Sequence, residues 1–511
     1  RWPLMIDPQG QANSWIKRME RDNKLVTIKL SQGDYLRRLE SAIRVGLPVL
    51  LENVEETLEP SIDPVLLKQV FKQSGRNLIR LGDTDVDYSD DFKLYVTSKL
   101  ANPHYPPEIC IKVTVVNFTV TFSGLENQLL AECAALERPD LEERKEKLVL
   151  TIANGRRTMA DLEDKILKML AEASGNILDD EDLINTLDNS KKTSSETEKA
   201  VSAAEETSKE IDEAREEYRP VASRGSIIYF VVADFAGVDA MYQYSLPYFK
   251  GIFANTITNA KQAENLSERL KILIDAITFA MFAMICRGLF ERHKALFAFM
   301  IAVQIARHAK EVTDDEWKLF LQPAVLGIPH LKKPNGEDAL WLDDRTWSFL
   351  CAADDIPSLF GLAEHVAANL GEWKKLYMAE APHSAPLPEP WQGKLKPFQR
   401  LLVLKLLRPE KVVFGTTVFI GAQLGDQFVE PPPFDLEATF KDSAARTPLI
   451  FVLVSGADPT QYLFNLAKAQ GYELGSNLHL ISLGQGQGPI AERLMDQTQS
   501  EGGWLCLQNC H

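Results

Sequence analysis

Short apolar runs alternate with segments of helical periodicity along the first 122 residues. The apolar runs cover residues 4–6, 25–30, 48–53, 92–97 and 113–122, and the last is rich in β-branched residues. Between them, apolar residues recur every three or four positions at 15–19, 35–45 and 65–73, and glycines follow the second and third of these segments. Strands that alternate with helices predict an α/β module with a largely parallel sheet covered on both faces.

The loop between the first strand and the first helix stands where P-loop proteins place G-x-x-x-x-G-K-[ST]. Asp7 and Ala12 replace the two glycines, and Asn13 replaces the lysine. Gly10 lies inside the loop, and Ser14 alone fits the pattern. A carboxylate ~4 Å from a phosphate costs roughly 4 kcal/mol at an effective dielectric constant near 20. These residues predict a vestigial nucleotide site; the alternative is an ordinary strand–loop–helix corner.

The other chemical positions of such a module are also substituted. An active P-loop ATPase ends its third strand in Asp-Glu, which holds the magnesium shell and activates water. Glu52 and Asn53 occupy those places, and an amide cannot accept a proton. Lys99 follows the next strand, where a polar γ-phosphate sensor is expected, and residues 99–126 contain no arginine. The module is predicted to have lost its nucleotide chemistry.

Residues 125–218 differ from the rest of the chain. They contain 25 acidic and 13 basic residues, and no aromatic residue before Tyr218. Apolar residues recur at three–four spacing in both halves, Gly175 suits a helix C-cap, and the acidic residues 179–182 suit the start of an apical helix. This pattern predicts a long antiparallel coiled-coil insertion with arms of about 45–50 Å. A disordered acidic linker is the alternative.

The middle of the chain is predicted to be mainly helical. Residues 227–232 fit a strand or a helix equally well, whereas 241–253, 266–290 and 294–307 are predicted to be helices of a buried helical subdomain. A proline-rich linker at 382–390 precedes another helix at 395–407. The longest apolar run, 276–286, is too short to span a bilayer.

The last third repeats the layout of the opening. A strand at 449–454, a loop and a helix at 461–470 precede a strand at 478–483. The second vestigial site is predicted to comprise Ser455, Gly456, Asp458, Gln508 and Asn509. The glycine string 484–489 breaks the dinucleotide pattern G-x-G-x-x-G, and Trp504 stands about where that pattern needs an acid.

Composition narrows the class of protein. A chain of 511 residues is expected to form three or four folding units, and its net charge of −16 argues against nucleic acid or an anionic membrane as main partner. Cys506, Cys510 and His511 could suggest a metal, but a single cluster without a C-x-x-C pair favours buried, reduced thiols and no metal site. We expect a soluble intracellular segment of a larger protein.

Several longer sequence segments resemble the dynein heavy chain, and their residues are closer to those of the axonemal than of the cytoplasmic members. The resemblance covers essentially the whole chain, and its most specific strings are WPLMIDPQGQA at 2–12, NPHY at 102–105, GNIL at 175–178, MYQYSL at 241–246 and LGQGQGP at 483–489. It implies a division of the chain into four parts. Residues 1–124 would be most of the large part of the fifth AAA+ module, 125–218 the strut or buttress, 219–310 the lid, and 311–511 an incomplete sixth module truncated at its Walker B-like strand.

The same resemblance implies a function. The segment would complete the motor ring and relay conformational change to the stalk without catalytic residues or cofactors of its own, while the parent motor uses ATP and magnesium. Its partners would be the rest of the heavy chain, microtubules through the parent motor, and dynein intermediate and light chains. It would act on the cytoskeleton, in the cytoplasm or in the axoneme of a cilium or flagellum. The alternatives are an active AAA+ remodelling ATPase and a coiled-coil scaffold.

Overall fold

The computed structural model describes the whole chain except residues 74, 83, 101–102, 173–180, 323–329, 445–446, 454–455 and 511 and the side chains of 169–172, 181–187 and 189. Two compact units are present, Arg1–Glu430 and Pro431–His511. In the part of the chain that the structure describes, no helix is both long and apolar enough to cross a membrane.

The first unit contains eight described strands and eighteen described α-helices. The strands are β1 (Trp2–Ile6), β2 (Val26–Lys29), β3 (Pro48–Glu52), β4 (Val70–Gln73), β5 (Arg76–Leu81), β6 (Thr84–Asp87), β7 (Lys93–Ser98) and β8 (Val113–Asn117). The helices are α1 (Gln11–Met19), α2 (Tyr35–Val45), α3 (Asp63–Leu66), α4 (Pro107–Lys112), α5 (Phe122–Glu137), α6 (Pro139–Glu172), α7 (Glu181–Glu216), α8 (Arg219–Asp234), α9 (Leu246–Asn259), α10 (Leu266–Cys286), α11 (Glu291–His308), α12 (Asp314–Leu321), α13 (Asp344–Ala353), α14 (Leu362–Ala368), α15 (Leu370–Met378), α16 (Trp391–Lys394), α17 (Pro397–Leu407) and α18 (Val412–Leu424).

Five parallel strands form the main sheet in the order β2-β3-β7-β1-β8. Successive side chains of the fully buried strand β3 enter different hydrophobic clusters, because strand side chains alternate between faces. Leu50 packs with residues of β1 and α1, and Leu51 packs in the cluster that contains Ile43 of α2. The prediction of a mainly parallel sheet flanked by helices is confirmed.

The prediction of one helix over residues 65–73 is wrong. The helix α3 ends at Leu66, and β4 pairs with β5 in a separate antiparallel sheet of three strands, β4-β5-β6. Gly75 has a φ of +80° and lies in the β4–β5 turn, so it closes a hairpin rather than a helix. The predicted strand 113–122 also stops early, at Asn117, and the Thr121 side chain caps α5 by accepting a hydrogen bond from the Gly124 amide.

One hydrophobic core joins α5 and the helices from α8 to α18. It extends from Leu125 to Phe428 and includes Val231 and Val232, so the ambiguous segment 227–232 is helical and belongs to α8. Helices on both sides of residue 310 share this core, and the compact unit continues to Glu430. The predicted module boundary at 310/311 therefore does not coincide with the boundary between the two compact units.

The helices α6 and α7 pack against each other in antiparallel directions. Lys145 of α6 contacts Asp212 of α7, and farther along, Arg156 lies 2.6 Å from Glu205. Gly155 permits the close approach of the two helices, because a Cβ atom there would lie 2.4 Å from a methyl group of Val201. Residues 125–137, the start of the predicted insertion, lie in α5 and pack in the helical core. The apex predicted around Gly175 lies outside the described residues.

The second unit contains α19 (Leu436–Lys441), α20 (Thr460–Ala469), β9 (Leu478–Ser482), α21 (Gly488–Glu501) and β10 (Trp504–Gln508). Its two strands are parallel. The strand predicted at 449–454 is absent from the described residues 449–453, so that prediction is wrong. Among the described residues, β9 and β10 pair with each other and Leu478 of β9 also bridges Leu474. The apolar segment 449–453 therefore has no ladder partner there, and Ile450 is 81% exposed.

Candidate functional site

The predicted nucleotide position lies at the carboxyl edge of the main sheet. The order of the sheet places β1 beside β7 and β7 beside β3, so Asp7, Ser98 and Asn53 follow or end neighbouring strands. Hydrogen bonds connect the strand ends along this edge: the Asp7 amide donates to the Ser98 carbonyl at 2.8 Å, and the Ser98 hydroxyl donates to the Val54 carbonyl at 2.7 Å. Ligands of open α/β sheets bind at this edge.

The Asp7 carboxylate occupies the amides of its own loop. Oδ1 accepts a hydrogen bond from the Gln11 amide at 2.7 Å, and Oδ2 accepts one from the Asn13 amide at 3.0 Å. Gly10, with a φ of 75°, turns the chain into α1 so that these amides face the carboxylate. Asp7 is only 2% exposed. A carboxylate of the protein thus takes the position that an anion takes at a P-loop helix N-terminus.

The remaining residues of the predicted loop are also engaged within the protein. The Thr97 hydroxyl donates to Oδ1 of Asn13 at 2.7 Å, and the Ser14 hydroxyl donates to the Gly10 carbonyl at 2.9 Å. Ala12 is fully buried in the cluster that contains Leu50. The structure therefore brings together all the predicted residues of the first loop, but it directs their polar groups toward one another.

The carboxylate at the end of β3, where an active module carries the Asp-Glu pair of its Walker B strand, forms an ion pair with α1. Nζ of Lys17, on α1, lies 2.6 Å from Oε1 of Glu52, whose side chain is 9% exposed. Asn53 follows with a φ of 57°, in the left-handed region. In the residues that the structure describes, no group of three or more histidine, cysteine, aspartate or glutamate side chains could hold a metal ion.

Among the described residues, the second predicted site has fewer internal hydrogen bonds than the first. Gly456 has a φ of 87°, and Asp458 accepts a hydrogen bond from the Thr460 amide at 2.9 Å. The Thr460 side chain and then this amide lower the pKa of Asp458. Gln508 is paired with Ser482 across the strands, and the Asn509 side chain donates to the Ser482 hydroxyl at 2.8 Å. Ser455 and His511 lie outside the described residues.

The cysteines fit reduced thiols more closely than a ligand set. Cys133, Cys286 and Cys351 are buried, whereas Cys110 and Cys510 are exposed and Cys506 is partly exposed. Burial raises the pKa of Cys133 and of Cys286 to about 12, so both thiols stay protonated at neutral pH. The prediction of buried thiols thus holds for three of the six.

Sequence reasoning missed Lys17 and Thr97, the two residues that complete this arrangement. Lys17 lies three positions after Ser14 on one helix face, so its spacing offered a signal. Thr97 is 84 residues from its partner Asn13, and no local pattern points to such a contact.

Two family models match this chain. The ATP-binding dynein motor region matches residues 1–197, and the dynein heavy chain region D6 P-loop domain matches residues 444–511. With the parallel sheet and the loop–helix geometry, these matches define P-loop AAA+ modules of a dynein motor, as the sequence predicted.

Individual relatives make the assignment more specific. Human dynein axonemal heavy chain 6 is 43% identical over 534 residues, and the Chlamydomonas reinhardtii dynein-1-beta heavy chain of the flagellar inner arm I1 complex is 44% identical over 512. Human dynein axonemal heavy chain 1 is 44% identical over 511 residues. This chain belongs to the axonemal dynein heavy chain family. It is covered completely in all three comparisons but spans only 11–13% of each relative.

Proposed function

We propose that this chain is a structural and transmission segment of a ciliary or flagellar microtubule motor. It completes the ATPase ring, relays conformational change to the microtubule-binding stalk and performs no nucleotide chemistry. The observation that carries the proposal is the Asp7 carboxylate, which accepts hydrogen bonds from two loop amides at 2.7 and 3.0 Å. A phosphate at those amides would have to displace a buried, hydrogen-bonded anion.

The residues around the loop support the same conclusion. The protein has Asn13 where a P-loop lysine would pair with phosphate, and Lys17 pairs instead with Glu52 at 2.6 Å. Asn53 cannot act as a general base. ATP and magnesium are therefore assigned to other modules of the parent motor, and this segment is assigned neither.

The relay is assigned to the hairpin of α6 and α7. Its 34-residue first arm is about 51 Å long at 1.5 Å per residue, and the two arms are joined by cross-helix ion pairs such as Arg156–Glu205. A projecting pair of helices adds little to the core of its own module, so its contribution lies in a contact outside that module. The stalk of the same heavy chain is the partner that membership of this family indicates.

Membership of the family supports the wider assignments that we propose. Residues 1–124 are proposed as most of the large part of the fifth AAA+ module, 125–218 as the strut, 219–310 as the lid and 311–511 as part of the sixth module. The remaining heavy chain, intermediate and light chains, and microtubules through the parent motor are the proposed partners, and the axoneme is the proposed location.

Deletion of residues 175–190 from the full-length heavy chain tests the relay. The deletion should leave basal ATP turnover intact and remove its stimulation by microtubules. Replacement of the acidic residues 179–182 with alanine should do less, because exposed ion pairs contribute only about 0–1 kcal/mol each. A deletion variant that microtubules still stimulate fully would refute the relay.

Calorimetry with magnesium-ATP tests the absence of nucleotide chemistry. The isolated segment should show neither micromolar affinity nor turnover, because Asp7 fills the first loop. Measurable hydrolysis at either loop would favour the alternative of an active AAA+ ATPase. The parallel five-stranded sheet already disfavours a coiled-coil scaffold.

A further inference from the structure

Both arms of the hairpin are interrupted where they leave the helical core. Arg138 separates α5 from α6 with a φ of −136° and a ψ of 66°, which is not helical geometry. Glu217 and Tyr218 separate α7 from α8. Tyr218 keeps right-handed helical dihedral angles, with a φ of −88° and a ψ of 0°, but its amide bonds to the carbonyl of Arg215, three residues back, so the α-helical ladder is interrupted there. The two breaks are neighbours in space, because Arg215 of α7 lies 3.4 Å from Glu142 of α6 on one side of them, and Arg219 of α8 lies 2.9 Å from Glu126 of α5 on the other. We call the two interruptions at Arg138 and Tyr218 the joint.

A buried arginine holds the end of α5 immediately before the joint. Arg269, near the start of α10, is 3% exposed, and its Nε and Nη2 donate to the two carboxylate oxygens of Glu137 at 3.0 and 2.6 Å. Glu137 is the last residue of α5, immediately before Arg138. This bidentate pair raises the pKa of the Arg269 guanidinium.

The same guanidinium also binds the end of α9 and the turn that follows it. Nη1 donates to the carbonyls of Lys261 and Ala260 at 2.6 and 3.1 Å, and Nη2 donates to the Ile257 carbonyl at 3.2 Å. One side chain therefore connects the α9–α10 turn of the helical block to the last residue of α5, one position before the joint. Lysine cannot reproduce this set of bonds, because its ammonium lacks the planar fork.

The return arm is held differently. Arg219, just after the joint, pairs with Glu216 and with Glu126 of α5, and its side chain is 33% exposed. These partners lie in α7 and α5, and none lies in α9 or α10. The return side reaches α10 only farther along α8, where Nη1 of Arg224 donates to the Thr278 hydroxyl at 2.9 Å. The arms therefore differ in where they are tied to the α9–α10 block: one residue before the joint on the first side, and six residues after it on the return side.

We infer that Arg269 is a positioning residue that transmits displacement of the α9–α10 turn to the first arm, so that the hairpin tilts about the joint. This inference rests on the proposed relay and specifies where motion enters the hairpin. Displacement of the turn pulls on Glu137 through Arg269, and Glu137 is joined to α6 through the backbone of Arg138. The more exposed contacts of Arg219 allow α7 to move with α6.

The test compares two identical chemical changes in the full-length heavy chain. Glu137→Gln removes the charge beneath the joint and nearly preserves the shape of the side chain. Glu205→Gln removes the charge of an exposed pair farther along the same hairpin, where the partner is Arg156. Microtubule stimulation should fall at least five-fold in Glu137→Gln and less than two-fold in Glu205→Gln, with basal turnover within two-fold of wild type in both.

Arg269→Lys provides a second variant that keeps the charge, and it should lose stimulation to an intermediate degree with unchanged basal turnover. Full stimulation in both Glu137→Gln and Arg269→Lys would overturn the inference. If deletion of 175–190 nevertheless abolished stimulation, the relay would stand and only this point of entry would be wrong. If that deletion also had no effect, the proposed relay itself would fail.

Discussion

Asn53 and Asn509 adopt the same backbone conformation in two separate units of the chain. Each follows a parallel strand, β3 or β10, and each has a φ of 57°. Asparagine is the residue other than glycine that enters the left-handed region most readily. The shared turn explains why the two strand ends are similar in sequence although neither retains an Asp-Glu pair.

Replacement of Asn53 by a β-branched residue should destabilise the first unit. Asn53→Val should lower the free energy of unfolding by about 1–2 kcal/mol, because a Cβ-branched side chain is strained at positive φ. Asn53→Gly should change it by less, since glycine accepts this conformation. Urea titration of both variants provides the measurement, and equal stability of the two would contradict the strain argument.

Removal of the Asp7 carboxylate should weaken the loop. Asp7→Ala leaves two amides without a charged acceptor, so we expect a loss of about 1.5–3 kcal/mol, the range for hydrogen bonds to charged groups. Asn13→Ala removes only the acceptor of the Thr97 hydroxyl and should lower stability by about 1 kcal/mol. Chemical denaturation of the two variants should preserve this order, and the reverse order would argue against the capping role of Asp7.

The central strand should tolerate truncation poorly. Leu50 is fully buried, so Leu50→Ala should lower the free energy of unfolding by about 2–5 kcal/mol through lost burial and a residual cavity. Val45 is 64% exposed, and Val45→Ala should change stability by less than about 0.5 kcal/mol. Thermal or urea unfolding distinguishes the two, and comparable losses would place Leu50 outside the core.

Glu20 should make stability depend on acid pH. Hydrogen bonds from Tyr95 and then Asn23 lower its pKa below the ordinary value of 4.5. As pH falls, Glu20 therefore binds a proton in the unfolded chain before it does so in the folded chain. The contribution of Glu20 to the free energy of unfolding is present above about pH 4.5 and is lost as pH falls through the folded pKa. The difference in unfolding free energy between wild type and Glu20→Gln should shrink across that window. A difference independent of pH would exclude this linkage.

The strand β3 was predictable from sequence because its apolar run is continuous and buried on both faces. The edge strands β2 and β8 are less buried and were recognised by their β-branched residues. The secondary structure of two other segments was predicted wrongly from the same kind of pattern. Val70 and Phe71 follow a helical turn closely enough to mimic its periodicity, and only the pairing with β5 shows that they form a strand. Residues 449–453 are apolar but have no strand beside them among the described residues.

Within the candidate site, the residue types were predictable and their contacts were not. The substitutions at Asp7 and Asn13 indicated an altered loop, but charge repulsion alone does not show that the Asp7 side chain reaches its own amides. Aspartate commonly accepts bonds from amides a few residues ahead, which was the available signal. The contact between Glu137 and Arg269 spans 132 residues and has no local signature.

The paired interruptions at Arg138 and Tyr218 give the hairpin the geometry of a lever. A tilt of about 6° at its base would displace the far end of a 34-residue helix by roughly 5 Å. That distance is close to one helical turn, the step by which packed helices exchange one register for the next. If the hairpin is the relay that we propose, a change at the α9–α10 turn too small to disturb the core would suffice to move a helix in contact with the distal end from one stable register to another.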